Sequence, residues 1–305
     1  MQSMLRQIIY SFLLLAVAGS LSVSAATIKT EQKVMLGETE IRINIYENEG
    51  SNLTFIAPHY NEQTGSRLAK AYVEKYGGRL VEIESLDAKG SPARYVSFTA
   101  NGKTYTIDPN RIFTAQGRSC AAGLSEVDAL VEAFAANVLK AVFANGKNLP
   151  GNERFLVAIH NNTDVDSKSE TAKSGDLTAY AFVKTSLSKE LAHGVFQDQA
   201  DGVYLSNTED DQDNFIFLSG VKYVSYFAER GFNVVVQKSA AKLSSPKCSV
   251  DDGSLSVFSA QQGIPYICLE ADAVTGGFRQ QQMLEAVYQL ARIENESVPL
   301  AVAKK

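Results

Sequence analysis

Two of the three histidines in this 305-residue chain close apolar runs. Phe55-Ile56-Ala57-Pro58-His59-Tyr60-Asn61-Glu62 ends on an imidazole and a carboxylate at His-x-x-Glu spacing, and Phe155-Leu156-Val157-Ala158-Ile159-His160-Asn161-Asn162 ends on a second imidazole. One carboxylate and two neutral imidazoles from separate segments fill three corners of a tetrahedron around zinc and leave the fourth for water or substrate. That is the arrangement of a catalytic site rather than a structural one. His59, Glu62 and His160 are therefore the candidate ligands of a single Zn2+ per chain. Taken alone, His-x-x-Glu is a short string that arises by chance in solvated loops, and its weight here comes from its place at the end of a strand-like run.

Two further strings carry chemistry. Thr106-Ile107-Asp108-Pro109-Asn110-Arg111-Ile112-Phe113 offers a carboxylate clamp. The guanidinium of Arg111 matches a carboxylate with two parallel donors, and the Asn110 amide adds another. Asp108 can orient the imidazole of His59 from behind. The bland reading is an Asx turn with a surface arginine. In Pro265-Tyr266-Ile267-Cys268-Leu269-Glu270-Ala271-Asp272 an apolar strand closes on carboxylates. Glu270 is placed as a general base that takes a proton from an attacking water and returns it to a leaving amine. Asp272 competes for that role, since alternation puts both on one side of the strand, but Glu270 is nearer the apolar end. An exposed strand-end glutamate is the bland reading.

These residues need a scaffold, and the hydrophobic pattern supplies one. Lys33 to Tyr46 alternates around Gly37-Glu38 as an edge hairpin. Leu53 to Ala57 is continuous, as for a strand buried on both faces. Thr64 to Tyr76 has helical spacing and stops at Gly77-Gly78, and Arg79 to Glu84 is another strand. Arg94 to Ile107 alternates around Asn101-Gly102, a strong hairpin signal. Leu124 to Phe143 reads as a long helix with Ser125 as N-cap, followed by strand Phe155 to Ile159. Further strands are expected at Gly202 to Leu205, Phe215 to Leu218, Asn233 to Gln237 and Tyr266 to Glu270. Helices are expected at Val221 to Arg230, Ser254 to Gln262 and Phe278 to Ile293. This alternation predicts an α/β fold, a mixed central sheet with helices on both faces. Active sites of such sheets sit at the carboxyl ends of strands. Asp164 to Ala200 interrupts the pattern and reads as a long loop, either over the site or as a surface excursion.

The first 26 residues read as a secretory signal. Arg6 is the only charge before the apolar Phe12 to Ala18, and small residues follow through Ser24-Ala25-Ala26. The apolar core is shorter than the roughly 20 residues that span a bilayer, so no stable membrane anchor is expected. Export to a periplasm or outside the cell follows. Residues 27–305, about 280 in number, suffice for one large catalytic domain, and no linker demands two. A net charge of −5 disfavours nucleic acid as a partner. Of the three cysteines, Cys120 and Cys248 lie in polar sequence and are the expected pair in an oxidising compartment, with Cys268 buried in a strand. Three unpaired thiols is the alternative. No Cys-x-x-Cys occurs, which excludes a cysteine zinc cluster.

The order His59-x-x-Glu62, Asp108-x-Asn110-Arg111, His160-Asn161 and Glu270 resembles the zinc carboxypeptidases, and especially their aspartoacylase and succinylglutamate desuccinylase relatives. In those relatives the first motif commonly reads His-Gly-Asn-Glu, matched by His59-Tyr60-Asn61-Glu62. The second reads Asp-Leu-Asn-Arg-x-Phe, matched by Asp108 to Phe113 with Pro109 replacing leucine, and the third reads His-Asn-Thr-Thr, matched by His160 to Thr163. The resemblance spans about Leu53 to Leu290 and implies a three-layer α/β/α fold. It implies that His59, Glu62 and His160 bind zinc, that Asn110 and Arg111 hold a substrate carboxylate, that Glu270 is general base and acid, and that Asp108 supports His59. The family's carbonyl-polarising arginine is assigned to Arg94, with Arg118 as the alternative, and its substrate-capping aromatic to Tyr266 or Tyr204.

The expected activity is zinc-dependent hydrolysis of an amide or peptide bond beside a free carboxylate, in a small peptide such as a cell-wall stem peptide. Motif wording favours a rival, the N-acyl amino acid deacylase, which export disfavours. A binding protein that keeps metal and fold without turnover is a third reading, and retention of Glu270 argues against it. No Gly-x-Ser-x-Gly elbow or phosphate-cradling glycine loop occurs. His193 reads as a surface residue, Glu209 to Asp213 as a solvated acidic turn, and Asp251-Asp252-Gly253-Ser254 as a turn and helix cap whose Asp252 or Ser254 could approach the site.

Overall fold

Runs that are apolar at every position must lie in a sheet covered on both faces, and the computed structural model of the chain shows such a sheet. It describes residues 26–143, 155–162, 200–239, 242, 248 and 250–297. The signal-like segment and residues 163–199, which include His193 and nearly all of the stretch read as a long loop, lie outside the described residues. The chain runs β1 (Ile28–Leu36), β2 (Thr39–Asn48), β3 (Thr54–Ala57), α1 (Gln63–Tyr76), β4 (Gly78–Glu84), β5 (Val96–Ala100), β6 (Lys103–Ile107), α2 (Ala115–Cys120) and α3 (Asp128–Val142). It continues through β7 (Leu156–Asn162), β8 (Ala200–Tyr204), β9 (Phe215–Leu218), α4 (Val224–Ala228), β10 (Val234–Gln237), α5 (Leu255–Gln262), β11 (Tyr266–Asp272) and α6 (Gly277–Ser297).

Nine of these strands form one mixed sheet in the order β1-β2-β4-β3-β7-β11-β9-β10-β8, while β5 and β6 pair separately. Adjacent strands β4, β3, β7 and β11 are parallel. The hairpin β1–β2 and strand β8 are antiparallel to their neighbours and close the two edges. Alternation sends successive side chains to opposite faces. Ile56, Ala158 and Cys268 join a core with Val131, Phe134 and Val138 of α3 and Leu255 of α5. Phe55, Val157 and Ile267 join the other, with Val73 of α1, Phe227 of α4 and Val287 of α6. Fully buried side chains such as Phe55 and Leu80 each contribute about 1.5–3 kcal/mol of transfer free energy. The expected three layers are present.

Local differences have local causes. The turn between β5 and β6 places Asn101 and Gly102 at φ 53° and 70°, as the Asn-Gly signal requires. Ser125 does not cap α3: Ser125–Val127 forms a single 3-10 turn and the α-helix begins at Asp128. The helix expected at Val221 to Arg230 is a 3-10 turn followed by the five-residue α4, because Gly231 takes a left-handed φ of 74° soon afterwards. Helix α2 was not expected at all. Its N-cap is Thr114, whose hydroxyl accepts from the Gly117 amide, and six residues are too few for a periodicity to show.

Cys120 at the end of α2 is disulfide-bonded to Cys248, 128 residues away, and Cys268 is the buried free cysteine. Closing so long a loop restricts the unfolded chain. The double variant Cys120→Ser, Cys248→Ser is expected to lose about 2–4 kcal/mol of stability. Urea midpoints under oxidising conditions would measure it, and an unchanged midpoint would contradict it.

Candidate metal centre

The carboxyl ends of β3, β7 and β11 lie side by side, which brings distant residues together. Ile56 pairs with Ala158, so the chain leaving β3 through Pro58 delivers His59 beside His160. Glu270 pairs directly with His160. His160 lies within β7, not in a loop beyond it, and the strand extends to Asn162. Glu62 occupies the N-cap position of α1, where the chain turns from strand to helix and its amide donates to the His59 carbonyl at 3.2 Å.

Four donors surround the buried Glu62 carboxylate. Oε1 meets His59 Nδ1 at 2.7 Å and accepts from Arg94 Nη1 at 2.9 Å. Oε2 meets His160 Nδ1 at 2.9 Å and accepts from the Asn161 amide at 3.1 Å. Asp108 Oδ1 stands 2.8 Å from His59 Nε2, and its other oxygen accepts from Arg94 Nη2 at 3.2 Å. Burial works to raise the Glu62 pKa, but the charges and hydrogen bonds of His59 and His160 outweigh it and hold the carboxyl well below the usual carboxylate range. The same balance holds at Asp108, where burial is overcome by His59 and by the charges of Arg111 and Arg94. Burial alone would lower His59, and the facing carboxylates push it up instead.

The donor set fits a divalent ion. One donor atom from each of His59, Glu62 and His160 lies within 4.8 Å of the others, and all three residues are buried. With Asp108 engaging Nε2 of His59, its Nδ1 is left facing the carboxylate that a cation would share. Two imidazole nitrogens and a carboxylate are donors that suit zinc.

Beneath the centre lies a polar support that no motif announced. The Gly65 amide donates to Asn161 Oδ1 at 2.8 Å, Asn161 Nδ2 donates to Gln280 Oε1 at 2.9 Å, and Gln280 Nε2 donates to the His160 carbonyl at 2.8 Å. Gln280, on α6, is completely buried, and only the placing of an amide directly after His160 hinted at the network. Gly65 is required here: a Cβ on it would come 2.3 Å from Ile159 Cγ2.

A small recess opens beside the centre, lined by Asn110, Arg111, His160, Asp252, Tyr266 and Glu270 among others. Asp108 accepts from the Asn110 amide at 2.8 Å, so the Asx turn and the approach to His59 coexist in one residue. Asn110 Oδ1 accepts from the Leu255 amide at 3.0 Å, tying the start of α5 to this wall, while Nδ2 faces His160 Nε2 at 3.5 Å. Arg111 donates to the Asn110 carbonyl at 2.8 Å and has its Nε 3.5 Å from Asp252. Burial opposes its charge, and Asp252, Asp108 and Glu270 together raise its pKa. Burial likewise pushes Glu270 up, aided by the Glu62 charge.

Of the other sequence assignments, some reach the recess and others do not. Arg94 faces Glu62 and Asp108 at the rim of the centre and does not line the recess. Arg118 is buried between Asp128 and Glu132 and donates to the Ile112 carbonyl, so it holds α2 to α3 and is not a site residue. Tyr204 sits half-exposed on edge strand β8, away from the recess, whereas the buried Tyr266 lines it as a wall. Ser254 caps α5 by accepting from the Val257 amide. Asp252 adjoins Arg111, because Gly253 and Gly117 pack backbone to backbone and draw the loop against the Asp108 to Phe113 segment. Asp210 pairs with Arg279 at 2.6 Å and accepts from Asn214, so it is structurally engaged and not merely solvated.

Comparison with protein-family models and with curated proteins finds no match. Among solved structures, the chain is similar to a putative metallopeptidase of Shewanella denitrificans at 12% identity and a TM-score of 0.39, covering 87% of this chain and 84% of that one. One from Shewanella amazonensis has 10% identity, a TM-score of 0.36 and 86% coverage of each chain. Another, from Shewanella baltica, has 10% identity and a TM-score of 0.39, with 87% and 86% covered.

Proposed function

We propose that this chain is an exported zinc-dependent hydrolase that cleaves an amide or peptide bond next to a free carboxylate. The observation that carries the reading is the meeting, at the carboxyl ends of the central strands, of the His59, Glu62 and His160 donors with Glu270 and Arg111 in the adjoining recess. Bound zinc would supply Lewis acidity and lower the pKa of a water in its open position. The chain's own groups do the rest. Glu270, buried and raised in pKa, accepts a proton from the attacking water at its carboxylate and returns it to the leaving nitrogen. Arg111 and Asn110 Nδ2 fix the substrate carboxylate and hence the register of the scissile bond. Arg94, at the rim, holds the Glu62 and Asp108 carboxylates in place against His59. Peptides ending in a free carboxylate, including cell-wall stem peptides, are the substrates an exported enzyme of this kind meets.

The test uses zinc-replete protein of one zinc per chain and scores amine release from peptides with free or amidated carboxyl termini. Release from the free-carboxylate peptides is expected, with kcat/KM about 10- to 100-fold lower in Arg111→Ala. Equal cleavage of amidated peptides would refute the clamp. Zinc-loaded protein inert toward peptides and N-acyl amino acids alike would point to a binding protein.

A further inference from the structure

We propose that Cys268 and Glu270, with His160 at their shared edge, form a second cation position, for thiophilic ions, which switches the centre off by occupying Glu270. The switch rests on the reading of Glu270 as the base; the position itself does not. Alternation along β11 puts Cys268 and Glu270 on one face, and both line the recess. The Cys268 thiol donates to Glu270 Oε1 at 3.1 Å, and the two residues are only 4% and 3% exposed. Donor atoms of His160, Cys268 and Glu270 lie within 4.8 Å of one another.

Its protein donors, one sulfur and one oxygen, differ from the two nitrogens and one oxygen of the first set. Nitrogen and oxygen suit zinc, whereas a sulfur donor tilts the preference toward cadmium or monovalent copper. A cysteine serving only as a small apolar side chain would turn its sulfur into the core. Cys268 belongs to the core cluster, yet its Sγ donates to a carboxylate that lines the recess. His160 directs Nδ1 to Glu62 and Nε2 to Asn110, so the imidazole stands between the two positions. The second ion takes its sulfur and oxygen from β11 and completes its shell with solvent. Binding breaks the S–H bond, releases the proton to solvent and forms a sulfur–metal bond. No oxidant is needed. The Glu270 carboxylate then neutralises the ion and no longer accepts a proton.

The experiment titrates zinc-loaded full-length protein with cadmium chloride, following bound cadmium, released zinc, sulfur-to-cadmium charge-transfer absorption and amine release. Cys268 is the single cysteine outside the disulfide, which makes the absorption a specific reporter. One added cadmium per chain is expected, with the absorption, without loss of zinc and with at least a tenfold fall in turnover. Cys268→Ser, and Cys268→Ala should the serine variant fold poorly, are expected to keep the zinc and lose both the second equivalent and the absorption. Cadmium binding without the absorption, or the absorption with zinc displaced one for one, would overturn the second position. Absorption with a second equivalent but undiminished turnover would overturn the switch, and with it Glu270 as the base.

Discussion

Glu270→Gln is expected to stop turnover while leaving zinc in place. Glutamine keeps the shape of the side chain and an oxygen for the Cys268 thiol, so the recess is preserved. It cannot hold the proton that must leave the attacking water. A positioned general base is worth about 10²–10⁴ in rate, and kcat should fall by that factor. Glu270 is not among the His59, Glu62 and His160 donors, so zinc content should remain one per chain. Zinc analysis together with steady-state kinetics checks both halves. A variant retaining more than a tenth of wild-type kcat would remove Glu270 from the base role, and Asp272 would not replace it. Asp272 accepts from the Val274 and Thr275 amides and the Thr275 hydroxyl, which makes it a turn cap after β11.

Glu62→Ala is expected to abolish stoichiometric zinc binding and to destabilise the metal-free protein as well. The carboxylate is the shared acceptor of four donors, on His59, His160, Arg94 and the Asn161 amide. Deleting it leaves buried donors unpaired, and of the two carboxylates at the centre only Asp108, beside His59 and Arg94, remains as a counter-charge. Breaking a buried ion pair in this way costs about 3–5 kcal/mol. Zinc should stabilise the wild type by mass action, by about 4 kcal/mol at a thousandfold excess over Kd, and so raise its melting temperature while leaving the variant unmoved. Melting curves with zinc and with chelator measure both effects. An equal zinc-induced shift in the variant would sink the assignment of Glu62 as a ligand.

Much of the scaffold was legible because its signals are local. The continuous apolar runs at Phe55, Phe155 and Tyr266 must be buried on both faces, and they form the three adjacent parallel strands β3, β7 and β11. Asn101-Gly102 specified its hairpin through backbone conformation alone. The polar settings of Cys120 and Cys248 against the apolar setting of Cys268 anticipated which thiols pair. Short elements stayed hidden. Helix α2 depends on Thr114 as cap and on the close approach of Gly117 to Gly253, a contact between residues more than a hundred positions apart. The turn before α3 displaced the expected cap, since 3-10 and α turns share their sequence preferences.

The sequence by itself determined which metal-competent and ionisable side chains stand at the ends of buried runs, because hydrophobic period and residue type are written in consecutive positions. Tertiary structure decided which of them meet. Strand order β3-β7-β11 sets His59, His160 and Glu270 side by side, and any other order of the same strands would scatter them. It also decided partners that no spacing encodes: Arg94 against Glu62 and Asp108, Asp252 against Arg111, Gln280 beneath His160, and the Cys268 sulfur toward Glu270. Those contacts depend on how helices and loops close over the sheet, and that is settled only by the packing of the whole core.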